Sequence, residues 1–154
     1  MVVEATLCEI TNEGRLLLQR KSVGRFGEGK WNGPGGKVQP GETPLECVVR
    51  EVLEETGLKV GDLTHHGAID FYFGEKQSPD WKVHIYSTST FTGEPKPSDE
   101  GELAWFGYDE IPYAEMWQDD LYWLPPVLQG MKVQGFFVYD ENGGELLRHR
   151  LTVE

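Results

Sequence analysis

The sequence has few cysteines and no long apolar run, and each absence excludes a class of protein. Its 154 residues include only two cysteines, Cys8 and Cys47. Two cysteines cannot form the disulfide framework of a small secreted scaffold, so we expect reduced thiols and a cytoplasmic location. No segment approaches the ~20 consecutive apolar residues that a membrane-spanning helix requires. The first residues show no basic region before an apolar run, so no secretory signal is expected.

Positive charge is also scarce: 14 Lys and Arg stand against 26 Asp and Glu, which gives a formal net charge of −12. This balance lacks a basic footprint, so neither polymeric nucleic acid nor an anionic membrane surface is an expected partner. A small polyanion can still bind an acidic protein when a divalent cation lies between the two. The length corresponds to a single domain over residues 1–154, which we expect to be a monomer.

The pattern of apolar residues and turns predicts a mixed α/β fold. Strands are expected at Val2–Ile10 and Arg15–Gln19, on either side of a tight turn. Further strands are predicted at residues 67–73, 81–91, 103–107, 135–139 and 145–151, the last two as a hairpin. A helix-like segment covers residues 116–128, where Pro125 and Pro126 are expected to bend or restart the helix. Strands mixed with two helices indicate a mixed sheet covered by helices.

The most clearly marked element is a helix between Thr43 and Gly57. Thr43 and Glu46 form a Thr-x-x-Glu capping box, Pro44 suits the first helical position, and Gly57 suits a C-terminal cap. Apolar residues recur between these caps at helical spacing, which predicts one buried face. That face is predicted to comprise Leu45, Val48, Val49, Val52 and Leu53.

Three glutamates on this helix form a candidate metal site. Glu51, Glu54 and Glu55 stand at positions i, i+3 and i+4, so they are expected to cluster on the face opposite the apolar one. Their mutual repulsion has one local counter-charge, Arg50, at i−4 from Glu54. Oxygen ligands suit Mg²⁺, or Mn²⁺ as a substitute, because these cations keep bound water and bridge to phosphates. A solvated acidic face is an equally good interpretation of the three glutamates alone.

The wider spacing identifies a known motif. It runs from Gly36 through five residues to Glu42, and then through seven residues to the segment 50–58, which reads Arg-Glu-Val-Leu-Glu-Glu-Thr-Gly-Leu. This is the pattern of the Nudix box, and the chain resembles the Nudix hydrolases, which cleave a nucleoside diphosphate linked to another group. The resemblance implies an α/β/α sandwich, in which the loop-helix-loop of the box holds a divalent metal against the diphosphate.

The resemblance extends beyond the box to the MutT-like branch of the family that hydrolyses oxidised purine nucleoside triphosphates such as 8-oxo-dGTP, a function in nucleotide-pool sanitation. It is carried by the segments Trp31–Gln39, Ser98–Glu100, Trp105-Phe106, Ile111-Pro112 and Met116–Trp123. Gln118 and Leu121 stand where that branch usually has Pro and Ser. Gly101 stands where a larger apolar residue lines the pocket, which predicts a roomier pocket.

The resemblance implies a role for each matched residue. The implied metal ligands are Glu51, Glu54, Glu55, Glu100 and the backbone carbonyl of Gly36, with Glu100 alternatively orienting the attacking water. The implied substrate-binding residues are Asn32, Phe71, Phe73, Trp117, Asp119 and Asp120, with Lys21 as the best match for a lysine near the phosphates or the pocket. Arg50 is expected to orient a glutamate. The general base among the carboxylates is left open.

The residue types suit these roles. Trp117 offers a flat face for stacking a base, and Asn32 carries both a donor and an acceptor for a purine edge. Two adjacent carboxyls can share one proton, so that Asp119 and Asp120 together would accept from a ring N–H and donate to a carbonyl. Each residue also has a purely structural interpretation. Trp117 would be a packing residue, Asn32 a turn residue, and the two aspartates an acidic pair at a helix N-terminus.

Other functions remain open at this point. A general nucleoside triphosphate or dinucleoside polyphosphate hydrolase would carry the same box with a different pocket. A nucleotide-binding module without turnover would tolerate a broken glutamate cluster, whereas this cluster is intact. A protein that binds partners through its acidic surface would leave the motif unexplained.

Overall fold

The computed structural model describes residues 1–154, which form ten strands, two α-helices and a short 3₁₀ helix at Tyr113–Glu115. The strands are β1 (Val3–Asn12), β2 (Arg15–Lys21), β3 (Trp31–Asn32), β4 (Lys59–Gly61), β5 (Thr64–Phe73), β6 (Trp81–Thr88), β7 (Thr90–Thr92), β8 (Gly101–Gly107), β9 (Val133–Tyr139) and β10 (Leu146–Val153). The helices are α1 (Pro44–Thr56) and α2 (Asp120–Leu128). Neither helix combines the length and the apolar character that crossing a membrane would require.

Eight of the strands form one sheet. The sheet is mixed, as the sequence predicts. Its order is β10-β9-β5-β6-β1-β2-β3, and β8 also pairs with β2. The pairs β1–β6 and β5–β9 are parallel, whereas the remaining pairs are antiparallel. β4 and β7 form a separate two-stranded sheet. The predicted terminal hairpin is present as the antiparallel pair β9–β10.

The two α-helices cover opposite faces of this sheet. Leu16 and Leu18 of β2 pack into one core and Leu17 into the other, because successive side chains of a strand point to opposite faces. Helix α2 supplies Trp123 to the first core, and α1 supplies Val48 to the second. The α/β/α sandwich that the family resemblance implies is confirmed.

Helix α1 begins and ends where the sequence predicts. The Thr43 hydroxyl accepts a hydrogen bond from the Glu46 backbone N–H at 3.1 Å, and the Glu46 carboxylate accepts one from the Thr43 N–H at 2.9 Å. Gly57 closes the helix in the left-handed region at φ 77°, with its N–H donating to the Leu53 carbonyl. Both orphaned ends of the helix are therefore satisfied by local sequence.

The predicted buried face of α1 is wrong in part. Val48 and Val52 are fully buried, but Leu45 and Leu53 are about half exposed. Glu55 is buried instead, with 3% of its surface exposed. Val48, Val52 and Glu55 are spaced i, i+4 and i+7, so they lie along one line of the helix. Glu55 therefore lies on the buried side of the helix, so the expectation that all three glutamates lie opposite the apolar face is wrong for this residue.

The predicted strand at residues 81–91 is interrupted. β6 ends at Thr88, and the short strand β7 begins at Thr90. The Thr88 hydroxyl accepts a hydrogen bond from the Thr90 N–H at 3.0 Å and itself donates to the Gly61 carbonyl. This side-chain turn offers the backbone an alternative to the strand ladder, which is why the strand breaks there.

The helix predicted at residues 116–128 is shorter than expected and passes through both of its prolines. It begins at Asp120, and Pro125 and Pro126 lie inside it. These prolines cannot donate to the carbonyls of Leu121 and Tyr122, but both of those residues are exposed, so water can satisfy their carbonyls. The expected restart at the prolines is therefore wrong, because the helix continues through both of them.

The capping box gives a test of local stability. We expect Thr43→Ala to lower the free energy of unfolding by about 1 kcal/mol, because the Glu46 N–H loses its acceptor at the start of α1. Urea denaturation measures the change. Thr43→Ser retains the hydroxyl and is the matched control, so an equal loss in both variants would contradict the capping role.

Candidate active site

A cleft of about 680 Å³ brings most of the predicted site residues together. The predicted residues that line it are Lys21, Asn32, Gly36, Glu51, Phe71, Phe73, Glu100, Trp117, Asp119 and Asp120. Arg50, Glu54 and Glu55 do not line the cleft; Arg50 contacts Glu51, whereas Glu55 lies 3.8 Å from Lys21. Lys21, Glu51 and Glu100 form the charged end of the cleft, and aromatic rings form the other end.

At the charged end, Arg50 links the helix to the loop that precedes it. Its guanidinium donates to both carboxylate oxygens of Glu42, at 2.6 and 2.9 Å, and also to Glu51 at 2.8 Å and Glu54 at 3.1 Å. These hydrogen bonds lower the pKa of the Glu42 carboxyl to about 2. Arg50 thus orients several glutamates, in keeping with its predicted role, and Glu54 lies on the exposed side of this network.

Glu55 is the most deeply placed of the three helix glutamates. Burial, and after it the adjacent Glu51 carboxyl, raises the pKa of Glu55 to about 9. The Lys21 ammonium lies 3.8 Å from Glu55 and 3.8 Å from Glu100, so it lies between two of the predicted metal ligands. Arg25 holds the other oxygen of Glu100 at 3.0 Å.

Gly36 approaches the helix so closely that a side chain would not fit. A Cβ at this position would lie 2.5 Å from the carboxylate carbon of Glu51. The Gly36 carbonyl oxygen accepts a hydrogen bond from the Thr6 N–H at 2.9 Å. The Thr6 hydroxyl and the Cys47 thiol also donate to this oxygen, at the longer distances of 3.4 and 3.5 Å. Its role as a metal ligand stays a prediction.

At the other end, aromatic rings surround the space between Trp117 and the sheet. Trp117 meets Phe73 and Tyr139 edge to face, at centroid distances of 6.0 and 5.5 Å. Phe26 stacks on Trp117 at 5.4 Å and on Trp81 at 5.9 Å, although 64% of its surface is exposed. These faces are suited to hold a flat, apolar ring system.

Asp119 and Asp120 are both buried but have different surroundings. Asp119 accepts hydrogen bonds from the Trp123 indole N–H at 2.7 Å and from the Tyr139 hydroxyl. One carboxylate oxygen of Asp120, Oδ2, has no partner at all. Asp119 occupies the N-cap position of α2, yet its side chain makes no capping hydrogen bond. Helix capping therefore does not account for this aspartate.

Asn32 and Gly101 are two further residues that the sequence analysis associated with the pocket. Asn32 lines the cleft from β3, where its side-chain oxygen accepts a hydrogen bond from the Gly33 N–H at 3.0 Å. Gly101 is not among the residues that line the cleft, and the roomier pocket expected at this position stays a prediction. It lies on β8, where a Cβ would meet the Arg20 carbonyl oxygen at 1.7 Å, so strand packing explains this glycine.

Comparison with known proteins decides the family. The chain matches the family model of the NUDIX domain over residues 2–126. This protein belongs to the Nudix family. A solved structure of a mutator MutT protein from Bacillus halodurans has a TM-score of 0.86 against it, with 31% identity and 97% of each chain covered.

Two Nudix relatives are similar over most of their length. An oxidized purine nucleoside triphosphate hydrolase from Danio rerio is 44% identical over 147 residues, which are 95% of this chain and 92% of the relative. A protein of the same name from Mus musculus is 44% identical over 137 residues, which are 88% of this chain and 86% of the relative. The similarity therefore includes both the box and the aromatic end of the cleft.

Nudix hydrolases generally use divalent metals, and two features of this site fit such a cation. The buried oxygen Oε1 of Glu55 has no hydrogen-bond partner, and the Glu51 carboxylate fills the space that a Cβ on Gly36 would need. Carboxylate oxygens are suitable ligands for a hard cation. As the side chains lie, no three acidic, His or Cys groups converge at ligand distance, because Arg50 and Lys21 lie among the carboxylates.

Sequence reasoning missed Phe26, Trp81 and Arg25 as residues of the cleft. Phe26 and Arg25 belong to a glycine-broken loop, which offers no periodicity, and Trp81 reads simply as the first residue of a strand. An apolar ring in a glycine-rich loop was the one available signal, since such loops usually carry small polar residues.

Cation binding is expected to change stability. Mg²⁺ at millimolar concentration should raise the melting temperature, because a ligand that binds only the folded state stabilises it. Glu55→Gln should reduce this increase in melting temperature. Glu46→Gln is the control, because it replaces a glutamate of the same helix and keeps a capping acceptor, and it should leave the increase unchanged. Differential scanning fluorimetry with and without Mg²⁺ measures both, and a flat response in the unmodified protein would contradict a carboxylate metal site.

Proposed function

We propose that this protein hydrolyses oxidised purine nucleoside triphosphates, such as 8-oxo-dGTP, to the nucleoside monophosphate and pyrophosphate in a Mg²⁺-dependent reaction. The observation that carries the proposal is that one cleft joins Glu51 of the Nudix helix and Glu100 to an aromatic end with buried aspartates. A nucleotide has the same two-part character, with charged phosphates at one end and a flat polar-edged base at the other. The names of the Danio rerio and Mus musculus relatives agree with this substrate class.

The charged end supplies the groups for phosphate chemistry. Glu51, Glu54, Glu55 and Glu100, with the carbonyl of Gly36, are the residues that would hold Mg²⁺. A bound Mg²⁺ would neutralise phosphate charge and make a coordinated water more acidic. In the reaction, the water oxygen bonds to one phosphorus, the bridging P–O bond to the leaving group breaks, and the water gives up a proton to a carboxylate.

Two basic residues, Lys21 and Arg50, contact this group of carboxylates. Lys21 has a largely buried ammonium between Glu55 and Glu100, so it offsets part of their repulsion before substrate binds. Arg50 fixes the rotamers of Glu42 and Glu51, which positions Glu51 beside Gly36. A carboxylate held in place in this way binds a cation with less loss of side-chain entropy.

The aromatic end supplies base recognition. Trp117, Phe71 and Phe73 provide apolar contact, while Asn32 and Asp120 provide polar atoms at the edge of the cleft. Asp120 has an unpartnered oxygen, so a base edge would complete its hydrogen bonding. The Asp119 carboxylate has spare lone pairs beyond its bonds to Trp123 and Tyr139, so it also remains available to a base.

A general nucleoside triphosphate hydrolase is the second candidate. Phe26 stacks on Trp81 and on Trp117 in the cleft, and stacking of a base on aromatic rings of this kind does not distinguish one base from another. Selectivity for an oxidised purine therefore depends on the polar residues of the pocket. A comparison of oxidised with unmodified nucleotides separates the two candidates.

Three further properties belong to the proposal. We place the protein in the cytoplasm, in agreement with its two buried, unpaired cysteines, and we take it to be a monomer. We also assign residues 1–154 to a single domain, since β9 and β10 lie in the same sheet as β1.

Turnover is the direct test. With Mg²⁺, the protein should release pyrophosphate from 8-oxo-dGTP with a higher kcat/KM than from dGTP. Glu55→Gln should lose most of the activity, because a neutral amide replaces a carboxyl that would ionise to bind the cation, with little change in volume. Glu46→Gln should keep the activity. Equal rates on oxidised and unmodified nucleotides would favour the general hydrolase, and full activity of Glu55→Gln would reject the assignment.

Stacking gives a separate prediction for the base. Trp117→Ala should weaken the binding of purine triphosphates by about 1–3 kcal/mol, the contribution of one stacked base. The loss should appear mainly in KM, since stacking is equal in the ground and transition states. Trp105→Ala removes a partly buried indole outside the cleft and serves as the control. An unchanged KM in Trp117→Ala would assign Trp117 to packing alone.

A further inference from the structure

A buried carboxyl on β1 is not used by the proposed mechanism. Glu9 has 1% of its surface exposed, and its Oε2 atom has no hydrogen-bond partner. It shares one face of β1 with Ala5 and Leu7, which line the cleft, because alternate residues of a strand point the same way. An unpartnered carboxyl is expensive to bury, so a purely structural reason for Glu9 is absent.

The Glu9 carboxyl packs closely against the segment that carries Asn32. A Cβ on Gly33 would lie 2.7 Å from the Glu9 oxygen Oε1, so the carboxyl packs directly against the glycine that follows Asn32. Asn32 itself lines the cleft. The carboxyl therefore lies immediately behind the wall of the proposed base pocket.

Asp120 lines the cleft in front of that wall. It is 2% exposed, and its Oδ2 atom also has no partner. Burial raises the pKa of Glu9 to about 8. Burial, then the charge of Asp119 and that of Glu9, raises the pKa of Asp120 well above its usual value, while Lys30 acts in the opposite sense.

The remaining groups that face this pair are few. Burial, and after it the charges of Asp120 and Glu9, raises the pKa of Tyr113 in the 3₁₀ helix. Asp119 accepts hydrogen bonds from Trp123 and Tyr139, whereas Glu9 and Asp120 each have one buried oxygen without a hydrogen-bond donor.

We propose that Glu9 is a positioning residue for base recognition: its buried carboxyl, behind Asp120, keeps a proton on Asp120, so that the pocket presents a donor to a purine carbonyl. The proposal rests on the proposed function for its substrate. Two neighbouring buried carboxyls lose their protons in separate steps, and the charge of the first opposes ionisation of the second. Asp120 therefore stays protonated over a wider range of pH than it would alone.

The first test needs no substrate. The carboxyl ¹³C resonance of Asp120 is followed from pH 5 to 10 in the unmodified protein, Glu9→Gln and Glu9→Leu. Both substitutions remove the charge that opposes ionisation, so the midpoint for Asp120 should move to lower pH by about one unit or more. Glu4→Gln removes a solvent-exposed charge from the same strand and should leave the midpoint in place. An unmoved midpoint in both Glu9 variants would overturn the proposal.

The second test uses the reaction. In Glu9→Gln, the alkaline rise in KM for 8-oxo-dGTP should move to lower pH, while the Mg²⁺ dependence and kcat at pH 6 stay within about twofold of the unmodified protein. A uniform loss at every pH would show a structural role and overturn the proposal. Absence of turnover in the unmodified protein would reject the proposed function, and the resonance titration would still decide the role of Glu9.

Glu9→Leu also has an expected effect on stability. A carboxyl with a raised pKa favours folding below its unfolded pKa near 4.5, and this contribution is lost as the pH rises toward 8. Leucine does not titrate, so Glu9→Leu does not lose stability in this way as the pH rises. The melting temperature of Glu9→Leu relative to the unmodified protein should therefore rise between pH 5 and pH 8, and a constant difference would contradict the burial of a titrating Glu9.

Discussion

The rest of the site depends on the close approach of residues 34–38 to strand β1. The Thr6 N–H donates to the Gly36 carbonyl at 2.9 Å and the Cys8 N–H to the Pro34 carbonyl at 2.8 Å, while the Val38 N–H donates to the Glu4 carbonyl at 2.9 Å. A Cβ on Gly35 would lie 2.0 Å from the Thr6 carbonyl oxygen, so only glycine permits this contact. The same contact brings Gly36 against Glu51.

This approach fixes both ends of the cleft at once. Asn32 precedes the segment and faces the base pocket, and α1 follows it with the carboxylates. Arg50 then ties α1 back to the intervening loop through Glu42, so the loop and helix are held by charge-assisted hydrogen bonds as well as by backbone contacts. The geometry at the phosphate end is therefore preorganised by the protein itself.

The molecule buries several acids whose burial opposes folding. Glu9, Glu55 and Asp120 each have a buried oxygen without a partner. Such groups lower stability, and proteins usually contain them where a ligand completes their interactions. Here they lie at or behind the two ends of one cleft. The large apolar cores on the two faces of the sheet offset their cost.

Local sequence signals and long-range contacts determined different parts of this structure. The capping box, Pro44 and Gly57 specify α1 by interactions within a few residues, and the sequence predicted both ends of the helix for that reason. The Nudix spacing likewise predicted the family. The break at Thr88 and the late start of α2 were missed, because they depend on contacts with Gly61 and Tyr139, which lie far away in the chain.

The sequence by itself determined that Glu51, Glu54 and Glu55 share a helix, since a 3.6-residue repeat fixes their spacing. Only the tertiary structure decided that Glu55 is buried beside Lys21 while Glu54 remains exposed, because burial depends on what packs against the helix. The same holds for Phe26, Trp81 and Glu9, whose neighbours come from other strands and loops. Periodicity describes one segment at a time, whereas a cleft is formed by segments that meet only when the chain has folded.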